Sequence, residues 1–324
     1  MQKLKGQATV VVTLPVQQLV GGTKAPLIDL SSAGELSKTA CLAIGALLTH
    51  NTTVTTLRLS GTKLGDEAGG LLPVLAEQCK TGALTALDLS DIGLTDRGAR
   101  KLFDTMMTGE YPVLTSLVLA GNMLKDLKVN GLVEALRDEA CSLTALDVSA
   151  NPLDGAMVMR SLKFNSSLTY LNVCGNQMDE NGVRDFGSLL LAPDCTVPIR
   201  ALSCDHFEVG TGTTALSFAG KGALSSSILT LLFGILKLNQ TIASLDLTGV
   251  DMDETAAKAL ETALMTNSTL TSLNLRDNPK LLSIKESGDL GARTVAPTLL
   301  ALPVHRSSSP PSMPTHADGE APTC

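Results

Sequence analysis

LTALDLSDIGL, at residues 84–94, holds an apolar residue, two spacers, a leucine, one spacer, a second apolar residue and then a turn. The same frame returns as VTTLRLSGTKL (54–64), LTSLVLAGNML (114–124), LTALDVSANPL (143–153) and LTYLNVCGNQM (168–178). IRALSCDHFEV (199–209) is a degenerate copy, and IASLDLTGVDM (242–252) and LTSLNLRDNPK (270–280) follow it. An earlier copy, LIDLSSAGEL, covers 27–36. From Val54 the copies recur after 30, 30, 29, 25, 31, 43 and 28 residues. Self-similarity at such a period marks a stacked array.

The physics of one unit is simple. Its LxL centre is a short strand whose alternate side chains point inward. About fifteen residues at helical spacing follow, as Leu71, Leu72, Val74 and Leu75 follow Asp66 and Glu67, and as Leu260 and Leu264 follow Asp253 and Glu254. Acidic residues at those starts suit helix N-termini. Each unit can bury its apolar side only against its neighbours. The expected fold is therefore an α/β solenoid, a horseshoe with parallel β-strands on the concave face and helices on the convex face.

Over residues 25–282 the pattern resembles the leucine-rich repeat family, and its period with a helical second half is similar to the ribonuclease-inhibitor subtype. The resemblance implies an asparagine ladder in the turns. Asn122, Asn151, Asn176 and Asn278 stand in that phase, whereas Thr62, Ile92, Phe207 and Val250 interrupt it. The 43-residue interval is too long for one unit. TGTTALSFAGKGAL, from Thr211, is either a collapsed half-repeat with Leu216 and Phe218 as its LxL, or a loop. The expected organisation is a capping segment at 1–24 with a strand near 10–14, a repeat domain at 25–284 that is irregular at 199–240, and a disordered Pro/Ser/Thr-rich tail at 285–324.

Composition narrows the function. Of 324 residues, 44% are apolar and 18% charged, but there is no Trp, only two Tyr and six Phe. Leucine must supply most of the core, at about 1.5–3 kcal/mol per buried side chain. The net charge of −7 argues against nucleic acid, whose binders carry a basic footprint. The run ILTLLFGILKL (228–238) is too short to span a bilayer and reads as a buried helix. Lys3 and Lys5 precede an apolar stretch interrupted by Thr9, Thr13 and Pro15, a poor match to a secretory signal. Seven cysteines, an odd count with no CxxC, read as reduced and mostly buried thiols.

The fifth position of the repeat should face out of the concave sheet. It holds Asp29, Asp88, Asp147 and Asp246, with Asn172 and Asn274, and is broken by Arg58, Val118 and Ser203. This is either an acidic stripe that steers a basic partner or plain repeat consensus. Tyr170, Arg58, Arg200 and Arg276 are the remaining anchor types on that face. Four sequons, at Asn51, Asn165, Asn239 and Asn267, each lie three residues before a repeat's first position and read as helix stops in the left-handed conformation rather than glycosylation sites. Cys204 and His206, neighbours of Asp205, should point to opposite faces of a strand, which opposes a Cys/His catalytic pair. No phosphate-loop, GxGxxG or GxSxG motif is present.

The expectation is a non-enzymatic protein–protein interaction scaffold or adaptor without a cofactor. It binds another protein, one with a basic surface, through the concave strands at Asp29, Arg58, Asp88, Asp147, Tyr170, Asn172, Asp246, Asn274 and Arg276. It engages neither nucleic acid nor membrane, and it is cytoplasmic, with cytoskeletal or ciliary placement as the alternative. With no nucleotide-binding module, a full immune receptor is not expected. The resemblance also brings two rivals: a GTPase-activating protein for a Ran-like GTPase, with Arg58 as its rim residue, and an inhibitor of a basic enzyme such as a ribonuclease.

Overall fold

The computed structural model describes residues 14–21, 26–66, 70–80, 82–106, 113–128 and 130–283. Residues 10–13 of the expected capping strand, Glu67, Cys324 and the tail expected at 285–324 lie outside the described residues. Seven short strands pair in chain order and in parallel: β1 (Leu27–Asp29), β2 (Thr56–Arg58), β3 (Ala86–Asp88), β4 (Ser116–Val118), β5 (Ala145–Asp147), β6 (Tyr170–Asn172) and β7 (Ala201–Cys204). Their central apolar residues stand in register from Ile28 through Leu57, Leu87, Leu117, Leu146 and Leu171 to Leu202, all buried.

Behind the sheet lie the helices that return the chain. They are α1 (Val16–Leu19), α2 (Lys38–Leu48), α3 (Leu71–Lys80), α4 (Asp96–Met106), α5 (Leu132–Arg137), α6 (Gly155–Ser161), α7 (Glu180–Leu191), α8 (Ser226–Leu238), α9 (Glu254–Leu264) and α10 (Pro279–Ser283). One leucine-rich core runs between the two layers. Asp253 caps α9 as expected, its carboxylate accepting from the Ala256 amide at 2.9 Å. Asp66 does not cap α3. It reaches instead into the next unit and accepts from the amide and hydroxyl of Thr95. Before the first strand, residues 16–19 form a single helical turn that buries Leu19.

Three ladders tie the coils together. In the turns, Asn122, Asn151, Asn176 and Asn278 each donate to a carbonyl of the preceding unit and accept from its backbone. Asn151 Nδ2, for example, bonds the oxygens of Leu119 and Val148, both at 2.9 Å, and its Oδ1 takes the Leu124 amide. Where the amide is missing, Thr62 bonds its own turn at Leu59 O, and Ile92, Phe207 and Val250 fill the space as buried apolar plugs. Along the sheet, the hydroxyls of Thr55, Thr85, Thr115, Thr144, Thr169 and Thr271 each donate to the backbone carbonyl one strand back, at 3.0–3.2 Å.

The third ladder corrects the reading of the sequons. Asn165 and Asn239 have extended, not left-handed, backbones. Their side chains, with those of Asn51 and Asn267, bridge units by the same double use of the amide. Asn51 Nδ2 donates to Gln18 O and Leu19 O while its Oδ1 accepts from the Val54 amide. Asn165 reaches Leu136 O, Asn239 reaches Arg200 O and Asn267 reaches Leu236 O. A glycan needs Nδ2, the atom already committed. We therefore expect no mass shift on N-glycosidase treatment when the folded chain is sent through a secretory pathway. A glycan on Asn51, Asn165 or Asn239 would contradict these contacts.

The irregular interval has a definite form. After β7 the chain turns at Asp205 and His206 and comes back as β8 (Phe207–Val209), antiparallel to β7. This places Cys204 in the core and His206 outside, as expected, though the separation comes from a hairpin turn rather than strand alternation. β9 (Ala215–Ser217) then opens a separate three-stranded parallel sheet with β10 (Ser244–Asp246) and β11 (Ser272–Asn274). Leu216 pairs with Leu245, so Thr213 holds the first position of a unit. The long interval is thus a 14-residue hairpin without a helix, followed by an ordinary 29-residue unit.

The helix layer stays closed across this seam. The buried helix α8 lies directly on α7, where Gly187 faces the backbone of Leu231 and Gly234 faces Leu190 and the carbonyl of Gly187. Lys237 Nζ donates to Leu190 O, Leu191 O and Ala192 O, closing the C-terminus of α7. Elsewhere strands about 4.8 Å apart face helices about 10 Å apart, which curves the array toward the sheet. At the seam the larger sheet gains β8 without a helix of its own.

Candidate protein-binding face

In the parallel strands the first and third residues face the concave side, although Ala201 and Ser203 of β7 are themselves buried; β8 instead turns Phe207 and Val209 inward. The first-residue row is mostly small: Thr56, Ala86, Ser116, Ala145 and Ala201 line it, with Tyr170 standing between the last two. The Tyr170 neighbours in this row are alanines, and its hydroxyl approaches Ser203 Oγ at 3.5 Å. Burial chiefly, with Asp147 and Glu208 nearby, pushes the Tyr170 phenol above its ordinary range. The result is a shallow trough with one aromatic.

The third-residue row holds the fifth position of the repeat, and its Asp and Asn residues have a local cause. Asp88 accepts from the Ser90 amide at 2.9 Å, Asp147 from Ser149 at 2.8 Å and Asp246 from Thr248 at 3.0 Å. Asp29 does the same with Ser31, Asn172 with Cys174 and Asn274 with Arg276. Each Asp or Asn is the first residue of a side-chain-closed turn, which is why the position favours these two types. The turn occupies Oδ1 and fixes the orientation of the second oxygen. Asp147 Oδ2 accepts from Asn172 Nδ2 at 3.0 Å, and Asp29 Oδ2 lies 3.5 Å from Arg58. That ion pair is exposed and stabilises little.

The row is not continuous. Register joins Asp29, Arg58, Asp88, Val118, Asp147, Asn172 and Ser203 in the larger sheet, while Asp246 and Asn274 belong to the smaller one beyond the hairpin. Arg276 follows β11 and stabilises the Asp246 carboxylate. Glu208 was not a candidate from sequence. It pairs with Ser203 across the hairpin, so both side chains project from one face and Glu208 extends the acidic row. Asp205 joins it at the turn, accepting from the Gly175 amide at 2.5 Å. Only antiparallel return puts Glu208 there, and a degenerate copy of the repeat does not announce a hairpin.

These carboxylates make stability depend on acidity. Hydroxyl and amide donation from Ser31 holds Asp29 below its ordinary 3.8. At Asp246 and Asp253 burial raises the carboxyl, but donation from Thr248, and from Ala256 and Ser226, outweighs it and leaves both lowered. A carboxylate lowered on folding contributes stability above its unfolded pKa and loses it as pH falls through the folded one. The melting temperature is expected to drop as pH falls from about 5 through about 3 and below, and Asp246→Asn, which keeps the turn, to make that dependence shallower. An acid melt unchanged from the neutral one would contradict the turn geometry.

Among the described residues no cysteine is paired: Cys41, Cys79 and Cys204 are buried, and Cys141, Cys174 and Cys195 are half-buried. Burial pushes the Cys79 thiol up to about 12 and, with Cys204 beside it, the Cys174 thiol up to about 11, which opposes thiolate chemistry. No helix among the described residues is long and apolar enough to cross a membrane.

A family profile described as "Leucine Rich repeat" matches residues 50–72 and 266–279. The human NACHT, LRR and PYD domains-containing protein 5 is 29% identical over 259 residues, covering 74% of this chain and 21% of that protein. Human NACHT, LRR and PYD domains-containing protein 14 is 28% identical over 228 residues, covering 69% and 19%. The chain thus spans about a fifth of the length of these relatives. Among solved structures, the leucine-rich repeat-containing protein LegL7 from Legionella pneumophila aligns with a TM-score of 0.42 and 19% identity, over 80% of this chain and 77% of that one. The chain is a leucine-rich repeat protein. Such proteins generally mediate protein–protein interaction.

Proposed function

We propose that this chain is a non-enzymatic scaffold or adaptor whose concave strand face binds another protein with a basic surface. The observation that carries this reading is the row of turn-locked carboxylates at Asp88, Asp147 and Asp246, with Asp29, beside a trough of small side chains. A basic partner meets oriented negative charge and no bulky obstruction. Asn172, Asn274 and Arg276 add hydrogen-bonding capacity, Arg58 a cation, and Tyr170 the aromatic anchor. Residues 25–284 act as the binding array, 1–24 as its cap and 285–324 as a tail, in a cytoplasmic or cytoskeletal setting. No cofactor enters this reading.

The test uses a triple Asp88→Asn, Asp147→Asn, Asp246→Asn variant. Asparagine keeps the turn, as Asn172 and Asn274 do, and removes only charge, whereas lysine would break both. Partner affinity is expected to fall about tenfold or more at low salt, with a flatter salt dependence and an unchanged fold. Equal affinity for the variant would move the interface off this row.

A further inference from the structure

The seam leaves one uncharged strand edge uncovered inside the array. Among the described residues β9 has β10 as its sole strand partner. Thr214 O receives the Ala243 and Ser244 amides, and the Phe218 amide reaches Asp246 O. Alternate residues of a parallel ladder face opposite edges, so the backbone N–H and C=O of Ala215 and Ser217 face the seam. Leu216, at the centre of β9, is only half-buried, whereas the corresponding residues from Ile28 to Leu273 in the other parallel strands are buried. The segment from Thr213 to Ser217 has no charge and no proline, the usual protections of an open edge.

Both ends of the seam open into clefts. One, of about 250 Å³, is lined by Thr169, Arg200, Thr211, Gln240 and Thr241, with Arg200 its single cation. Arg200 spends one of its five donors on Gln240 Oε1, at 3.2 Å. The other, of about 320 Å³, has Met178, Val183, Leu224 and Ile228 as its apolar wall.

We propose that the seam takes an extended peptide segment of a partner protein, added as a strand to the free edge of β9. Its carboxylate lies against Arg200 and its apolar side chains cover Leu216 and the Val183–Ile228 cleft. Backbone pairing supplies the affinity, and Arg200 and the apolar cleft set the sequence preference. This site is separate from the acidic row, and its failure would leave that row untouched.

The experiment uses the full chain and a fluorescein-labelled hexapeptide, acetyl-Asp-Thr-Val-Thr-Val-Thr-amide, read by anisotropy. N-methylating the alternate peptide amides that face β9 is expected to weaken binding about tenfold or more, and methylating the other set to leave it within about twofold. Arg200→Glu is expected to weaken it about tenfold. Ser217→Pro, which removes a seam-facing N–H and spares the β10 ladder, should do the same, with thermal melts confirming that both variants fold. Hydrogen exchange at Ala215 and Ser217 should be fast in the free chain and slow with peptide. Absent binding, or indifference to N-methylation, overturns the proposal. So does protection of those amides in the free chain, which at high concentration would assign the edge to a second copy.

Discussion

Asn151→Ala is expected to lower the unfolding free energy by about 2–3 kcal/mol, since a buried group left unpaired costs roughly 1–3 kcal/mol and each further hydrogen bond lost about 0.5 kcal/mol or more. The side chain is 1% exposed and serves four backbone groups: the oxygens of Leu119, Val148 and Ser149, and the amide of Leu124. Alanine orphans the Leu124 amide, while the three oxygens each lose one donor and keep another, from Asn122, Asn176 and the Gly121 amide. Asn151→Asp is expected to be worse, because it keeps the acceptor and turns a buried negative charge onto carbonyl oxygens. The position couples two units in the middle of the array, so the urea transition should also broaden as the halves decouple. A loss below about 1 kcal/mol, with an unbroadened transition, would mean that this ladder does not carry the coupling between coils.

Gly187→Val is expected to cost about 3 kcal/mol or more, the upper range for overpacking. A Cβ at this position would lie 2.6 Å from the Leu231 nitrogen and 2.8 Å from its Cα. Both obstacles are backbone, so no rotamer change relieves them. Gly187→Ala should cost less, because alanine recovers about 1 kcal/mol of helix propensity. Gly212→Ala, in the seam loop with nothing within 4 Å, is the control and is expected to be neutral. Chemical denaturation of the three variants checks the order. Gly187→Val within about 1 kcal/mol of the parent would show that α7 and α8 do not meet at this glycine.

Much of the fold was legible because the repeat is written in leucines. Ile28, Leu57, Leu87 and their successors fall in register where the periodicity put them. The turn amides of Asn122, Asn151, Asn176 and Asn278 also bond as the family resemblance implied. The seam was legible only as an irregular spacing. β8 has two inward apolar residues, Phe207 and Val209, which serve a parallel copy or a returning hairpin equally well, and strand direction leaves no mark in so short a pattern. Asn51 and its counterparts were placed correctly but given the wrong task, since a helix stop and a bridging amide favour the same residue type. In the candidate face, position five was found, but its split between two sheets and the addition of Glu208 depend on the hairpin.

The central claim, that a protein partner sits on the concave strands, is tested most directly by site-specific photo-crosslinking in native lysate. A photoreactive amino acid replaces Ala145, in the middle of the trough, or Met265, which is 76% exposed at the end of α9. The account expects a discrete crosslinked species from Ala145 that weakens in the Asp88→Asn, Asp147→Asn, Asp246→Asn background, and none from Met265. A species from Met265 alone, or one from Ala145 indifferent to those three carboxylates, would contradict it.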